Sequence, residues 1–162
     1  MIDFSLKRIN EQAPYEVWQY GTDFRFCTNA GLHYTISFKE DMPIGGCETY
    51  QFIINKVEDA HSPHDSLVRA TVISIINEFF VSNLNVLLYI CDTSDGREAM
   101  RNRLFVSWFE EFSETGRFTI RNANAEVEGE GIYAAIIVEN RNERLKYIID
   151  EFDETARVLA RK

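Results

Sequence analysis

The hydrophobic pattern changes period part-way along the chain, and that change limits the folds open to it. Up to about residue 57, large apolar side chains alternate with polar ones, the period of a strand with one covered face. From residue 62, in "SPHDSLVRATVISIINEFFVSN", the spacing becomes helical: Val68, Val72, Ile75, Ile76, Phe79 and Phe80 form a broad stripe. Immediately afterwards "NVLLYICD" is apolar almost without interruption, as expected of a central strand covered on both faces. Strand, helix and buried strand in succession make a βαβ unit. Its two strands run parallel, its crossover is right-handed, and its ligands tend to gather outside the carboxyl ends of the strands.

The remaining elements attach to this unit. Before it, "YEVWQY", the pair Phe24 and Phe26, and the trio Tyr34, Ile36 and Phe38 read as a meander of strands, with Arg25, His33, Thr35 and Ser37 on the wet face. The segment "TNAG" supplies a tight turn, and "DMPIGGCE" reads as a Pro and Gly connection to the strand "TYQFIINKV". Ser62 stands where an N-cap belongs, Pro63 at the first helical position and Asp65 where a capping-box acid sits, while Asn83 closes the helix. A second helix is expected from Arg97 to Ser113, with Trp108 and Phe109 in its core face. The segments "RFTIRNANAEV" and "GIYAAIIVEN" form a closing hairpin, and a third helix from Asn142 carries Leu145, Ile148, Ile149, Phe152, Ala156 and Leu159. The expected fold is α+β, with a mixed, mostly antiparallel sheet, an internal βαβ unit and three helices in the order ββββαβαββα, and residues 1–162 as a single domain.

Composition removes several function classes. The net charge of −9 opposes contact with phosphate over any broad surface, so nucleic acid is not an expected partner. No window approaches the ~18 consecutive apolar residues of a membrane span, and the start lacks the apolar centre of a signal peptide, so a cytoplasmic protein without a membrane partner is expected. Cys27, Cys47 and Cys91 are an odd number without CxxC spacing, which points to buried thiols in a reducing compartment.

If "TYQFIINKV" and "NVLLYICD" are parallel neighbours, the loops "EDAHSPHD" and "CDTSDGR" leave the sheet at one rim. The candidate ligand edge is therefore His61, His64, Asp92, Asp95, Arg97 and Arg101. Asp92 and Asp95 fit the ordinary roles of turn and helix-cap residues. Arg97 and Arg101 are cations near a helix start, where the dipole opposes each by roughly 0.3–1 kcal/mol. Either the two acids pair with them, in which case Arg101→Ala destabilises the fold, or they bind an anionic ligand. Asp59, His61, His64 and Asp65 contain metal-ligating types without a metal-binding spacing, and neither a metal nor any resident cofactor is expected. Cys91 lacks a partnering base, and Asp92 would raise rather than lower its pKa, which argues for a buried strand residue.

Two resemblances accompany this reading. The order strand, helix, strand, helix, hairpin, with "YICDTSDGREAMRNRLF" after the central strand, resembles the second half of the acyl-coenzyme-A-dependent N-acetyltransferase superfamily. That family seats its pyrophosphate on a Gly-rich turn, whereas the corresponding "VEDAHSPHDSLVRA" has no glycine and carries Glu58, Asp59 and Asp65. "RFCTNAGLHYTISF" together with "YICDTSDGREAMRNRLFVSWF" is similar to an uncharacterised bacterial family of about this length, which implies one intact domain and transfers no catalytic residue. The expected function is a non-catalytic module binding a small molecule or a protein, on an acetyltransferase-like skeleton. The alternative is an N-acyltransferase acting on a cationic amine, and a third reading is a metal-assisted hydrolase built on His61 and His64.

Overall fold

The structure, a computed structural model, describes residues 2–58, 65–92, 107–108, 110–111 and 116–160. The elements are α1 (Leu6–Gln12), β1 (Trp18–Tyr20), β2 (Asp23–Cys27), β3 (His33–Ile44), β4 (Cys47–Lys56), α2 (Ser66–Ser82), β5 (Val86–Asp92), β6 (Phe118–Val127), β7 (Glu130–Glu139) and α3 (Leu145–Ala160). Hydrogen-bonded strands follow the order β1-β2-β3-β4-β5-β7-β6 in a seven-stranded sheet. The fold is mixed α+β. Its parallel pair is β4 and β5, with Thr49 opposite Val86 and Gln51 opposite Leu88, as the βαβ reading requires. Contacts divide the chain into two compact units, Met1–Lys39 with Phe52–Leu84, and Glu40–Gln51 with Asn85–Lys162.

The first unit is built around aromatic rings. Phe24 pairs with Ile36 and Phe26 with Tyr34 across the β2/β3 ladder, and α2 lays Val68, Val72, Ile75, Ile76, Phe79 and Phe80 into the core. Phe38 stacks on Phe79 at 5.3 Å between centroids, and Phe4 meets Phe24 edge-on at 4.8 Å. Such pairs add to the value of the area they bury.

Several expectations need correction here. The "YEVWQY" strand shortens to Trp18–Tyr20 because the backbone before it bonds to side chains: the Tyr15 N–H donates to Thr71 Oγ1 and the Val17 N–H to Asn10 Oδ1. The helix α2 begins at Ser66, with Asp65 as its N-cap rather than a residue of its first turn. The Asp65 carboxylate accepts the Leu67 N–H at 2.9 Å and the Tyr15 hydroxyl at 2.7 Å, so one side chain caps the helix and holds the chain preceding β1. Ser62 and Pro63 lie outside the described residues. Asn83 closes the helix in extended conformation, not left-handed, its backbone and side-chain N–H groups both reaching Phe79 O. The short helix α1 was not expected. It is held from outside: Glu78, 3% exposed on α2, accepts from the Ser5 N–H, from Ser82 and from two nitrogens of Arg8.

In the second unit β3 runs on through Pro43 to Ile44, and the supposed connection reduces to the two-residue turn Gly45-Gly46. Both glycines have positive φ, +59° and +75°, as a type I′ hairpin turn requires. The hairpin β6/β7 pairs in register from Phe118 opposite Glu139 to Val127 opposite Glu130, as expected. The third helix starts at Leu145 rather than Asn142, whose side chain instead accepts the Arg144 N–H just ahead of it. Of the helix expected over 97–113, the described residues Ser107, Trp108, Glu110 and Glu111 are helical and Trp108 is buried; the rest lies outside the described residues.

Candidate functional site

Alternation along the strands of the second unit separates two faces. Val86, Leu88 and Ile90 of β5 share one face with Ile132, Ala134, Ile136 and Val138 of β7 and with Ala123 and Ala125 of β6, as the ladders show. The helix α3 covers this face. Its first half packs closely: Ile148 and Phe152 are buried against Val86, Leu88, Ile136 and Val138. Large strand side chains meet large helix side chains there. Further along, the floor falls away because the strand positions are Ala123, Ala125 and Ala134, and the helix offers Ala156 in return.

The result is a cavity of about 430 Å³ between α3 and the sheet. Leu88, Ile90, Ile132, Phe152 and Leu159 form its walls with the four alanines, and Met42 and Ile44 close one side. Its polar members are Asp41, Glu151 and Thr155. Ile90 records the effect most directly. It lies on the helix-covered face of β5, opposite Ala134 of β7 and two residues past Leu88, where the pairing with β4 ends, and it remains 41% exposed. Met42, beside it in the lining, is 81% exposed.

The two carboxylates are anchored to backbone. Asp41 accepts the Met42 N–H at 2.7 Å, and Glu151 accepts the Gly45 N–H. The Gly45 contact also sets where α3 lies. A Cβ on Gly45 would come within 2.4 Å of Ile148 N and 2.6 Å of Ile148 Cα, so glycine alone permits this approach. Arg144 completes the clamp by donating from Nε to Gly45 O.

The opposite face of the same strands is a different environment. Tyr133 there is buried, 6.4 Å from Tyr89 between ring centroids, and burial together with the charge of Glu110 pushes its phenol up to about 12. Glu110 therefore belongs to that side, away from the cavity.

Of the edge foreseen from the loops, Asp92 closes β5 opposite Ile132, a residue of the cavity wall. His61, His64, Asp95, Arg97 and Arg101 lie outside the described residues, and so does the pairing expected for the arginines. Cys91 is buried, as expected, whereas Cys27 and Cys47 are half-buried. His33 is a surface residue whose N–H and Nδ1 both meet Glu58, at 2.6 Å each. Hydrogen bonds from His33 hold the Glu58 carboxyl below its ordinary range. Among the described residues no group of three or more His, Cys, Asp or Glu is placed to hold a metal ion, and no helix is long and apolar enough to cross a membrane.

Residues 64–154, more than half of the chain, match a family of unknown function, DUF6169. The chain belongs to that family. The DUF6169 match runs from just before α2 into α3, so it takes in β5, the β6/β7 hairpin and eight of the fourteen described lining residues; Asp41, Met42 and Ile44 precede it, and Thr155, Ala156 and Leu159 follow it. No curated protein and no solved structure matches the chain.

The cavity was absent from the sequence reading, which followed polar loops. A signal did exist. Ala123 and Ala125 in "NANAEV", and Ala134 in "YAAIIV", place small side chains on one strand face directly beneath an amphipathic helix.

Proposed function

We propose that this protein is a non-catalytic ligand-binding module whose ligand inserts an apolar group between α3 and the sheet. The observation that carries this reading is Ile90, a cavity-wall side chain of β5 left partly open where α3 covers Leu88 and Val86. Two further features support it. A volume near 430 Å³ lies within the ~300–1,000 Å³ of small-molecule sites. Among its described residues the lining is an apolar wall with two carboxylates and a threonine at its edge, without a His, Cys, Ser or Tyr placed for proton or acyl transfer.

A second reading, N-acyl transfer to an amine, draws support from the parallel β4/β5 pair joined through α2 and from the strand order of the sheet. It calls for coenzyme A to be bound, which a thermal shift with acetyl-coenzyme A tests.

The pocket reading is tested with the neutral dye Nile red and with 1-decanol as competitor. Each CH₂ that leaves water contributes about 0.8 kcal/mol, so the dye is expected to bind and 1-decanol to displace it. Ala156→Phe places a ring in the cavity from the helix side and abolishes binding without lowering the melting temperature. Dye binding unaffected by Ala156→Phe, or no binding to the wild type, overturns the reading.

A further inference from the structure

We infer that the ligand of this pocket is an amphiphilic cation, an apolar body carrying a protonated amine that settles against Asp41 and Glu151. This rests on the pocket reading above and adds a charge to it. Among the described residues of the lining, the charged side chains are the carboxylates Asp41 and Glu151, with no lysine or arginine. Each carboxylate is held by one backbone N–H and has lone-pair positions left for a ligand donor.

Two described cations of this unit are turned to other work. Arg144 donates to Gly45 O and lies 4.8 Å over the Tyr147 ring, and Arg157 pairs with Glu154 at 2.5 Å. Arg121 shares the cavity face of β6 but sits opposite Ile136, beyond the lining. A fatty acid would have to bring a third carboxylate toward Asp41 and Glu151, with no cation among the described residues of the wall to receive it. An alkylamine meets the opposite arrangement. Its chain enters the alanine-floored space, and its ammonium stays at the wetter edge, where desolvation is cheap and a carboxylate is within reach. The net charge of −9 draws cations toward the surface in the same sense.

Three ligands with one chain and different heads separate this inference from the reading beneath it: decylamine, 1-decanol and sodium decanoate, each displacing Nile red below its micelle-forming concentration. Decylamine is expected to bind at least tenfold more tightly than 1-decanol, and decanoate more weakly than 1-decanol. The double variant Asp41→Asn with Glu151→Gln, in which the amide oxygen still accepts the Gly45 N–H, brings decylamine down to the affinity of 1-decanol and leaves 1-decanol unchanged. Should that variant fail to fold, salt gives the same answer on the wild type: added sodium chloride shrinks the amine's advantage and spares the alcohol. Equal binding of amine and alcohol, an advantage that survives both the amides and the salt, or tighter binding of decanoate overturns the charge assignment while leaving an apolar pocket standing. Failure of all three ligands to displace the dye overturns the pocket itself.

Discussion

Gly45→Ala is the substitution whose cost the structure sets most clearly. The added Cβ would lie 2.4 Å from Ile148 N, 2.6 Å from Ile148 Cα and 2.7 Å from Tyr147 C, all main-chain atoms of α3 that cannot swing aside. Ordinary contacts between such atoms begin near 3.5 Å, so the helix and the turn must separate by roughly 1 Å. Overpacking of this kind costs about 1–3 kcal/mol, and a left-handed alanine adds about 1–2 kcal/mol. The separation also strains the bonds that Glu151 and Arg144 make to the Gly45 peptide. A total of about 2–5 kcal/mol follows. Gly129→Ala is the internal control, because Gly129 has φ +81° in the same unit and nothing within 4 Å of its Cβ position; it carries only the conformational cost of about 1–2 kcal/mol. Urea unfolding followed by circular dichroism measures both. With a slope of ~2 kcal/mol per molar, the midpoint of Gly45→Ala falls below that of Gly129→Ala by roughly 0.5–1.5 M. Equal midpoints would refute the claim that the turn is locked against α3.

Glu78→Gln removes the carboxylate that ties α1 to α2 and costs roughly 1–3 kcal/mol at neutral pH, measured by the same unfolding assay. Burial alone would raise the Glu78 pKa, but hydrogen bonds from Arg8, Ser82 and the Ser5 N–H outweigh it and hold the folded-state value below normal. The advantage of wild type over Glu78→Gln is therefore full above the unfolded value near ~4.3 and shrinks as pH falls through the folded value. A gap between the two proteins that stays constant from pH 6 to pH 3 contradicts this. Asp65→Ala lowers stability by about 1–2 kcal/mol through the lost cap of α2, and Asp65→Asn, whose amide oxygen can still accept the Leu67 N–H, loses less than half as much. Thermal melts of the two variants decide it, and similar losses would place the value of Asp65 in its charge instead.

The βαβ core was legible because three signals agreed: the helical spacing from Val68 to Phe80, the uninterrupted run from Val86 to Cys91, and the connection between them. The helix α3 was equally legible, since Leu145, Ile148 and Phe152 recur at its period and the last two are buried. The helix α1 was not. It has seven residues and one buried side chain, Ile9, too little for a periodic signal, and it exists because Glu78, distant in sequence, holds Arg8 and the Ser5 N–H. The start of α2 was misplaced by a rival capping pattern: Ser62-Pro63 matches the preferred residues at N-cap and first helical position, but Asp65 wins where its carboxylate serves both Leu67 and Tyr15. Pro43 and the two glycines looked like a long connection, whereas two residues of positive φ suffice to turn the chain. As for the site, reasoning from strand ends selected polar loops, most of whose residues lie outside the described residues. The cavity instead arises from what the strands lack, side chains larger than alanine at Ala123, Ala125 and Ala134. Small residues in a strand carry little signal until the helix above them is in place.

Methyl-resolved NMR of the isoleucines during titration with 1-decanol tests the pocket most directly. Ile90 and Ile132, in the cavity wall, are expected to shift together and to saturate with one ligand per chain, while Ile9 and Ile36, buried in the other unit, stay where they are. Methyls of Ile90 and Ile132 that do not move at saturating alcohol, or that move no more than Ile9 and Ile36, would contradict the existence of a ligand pocket beneath α3.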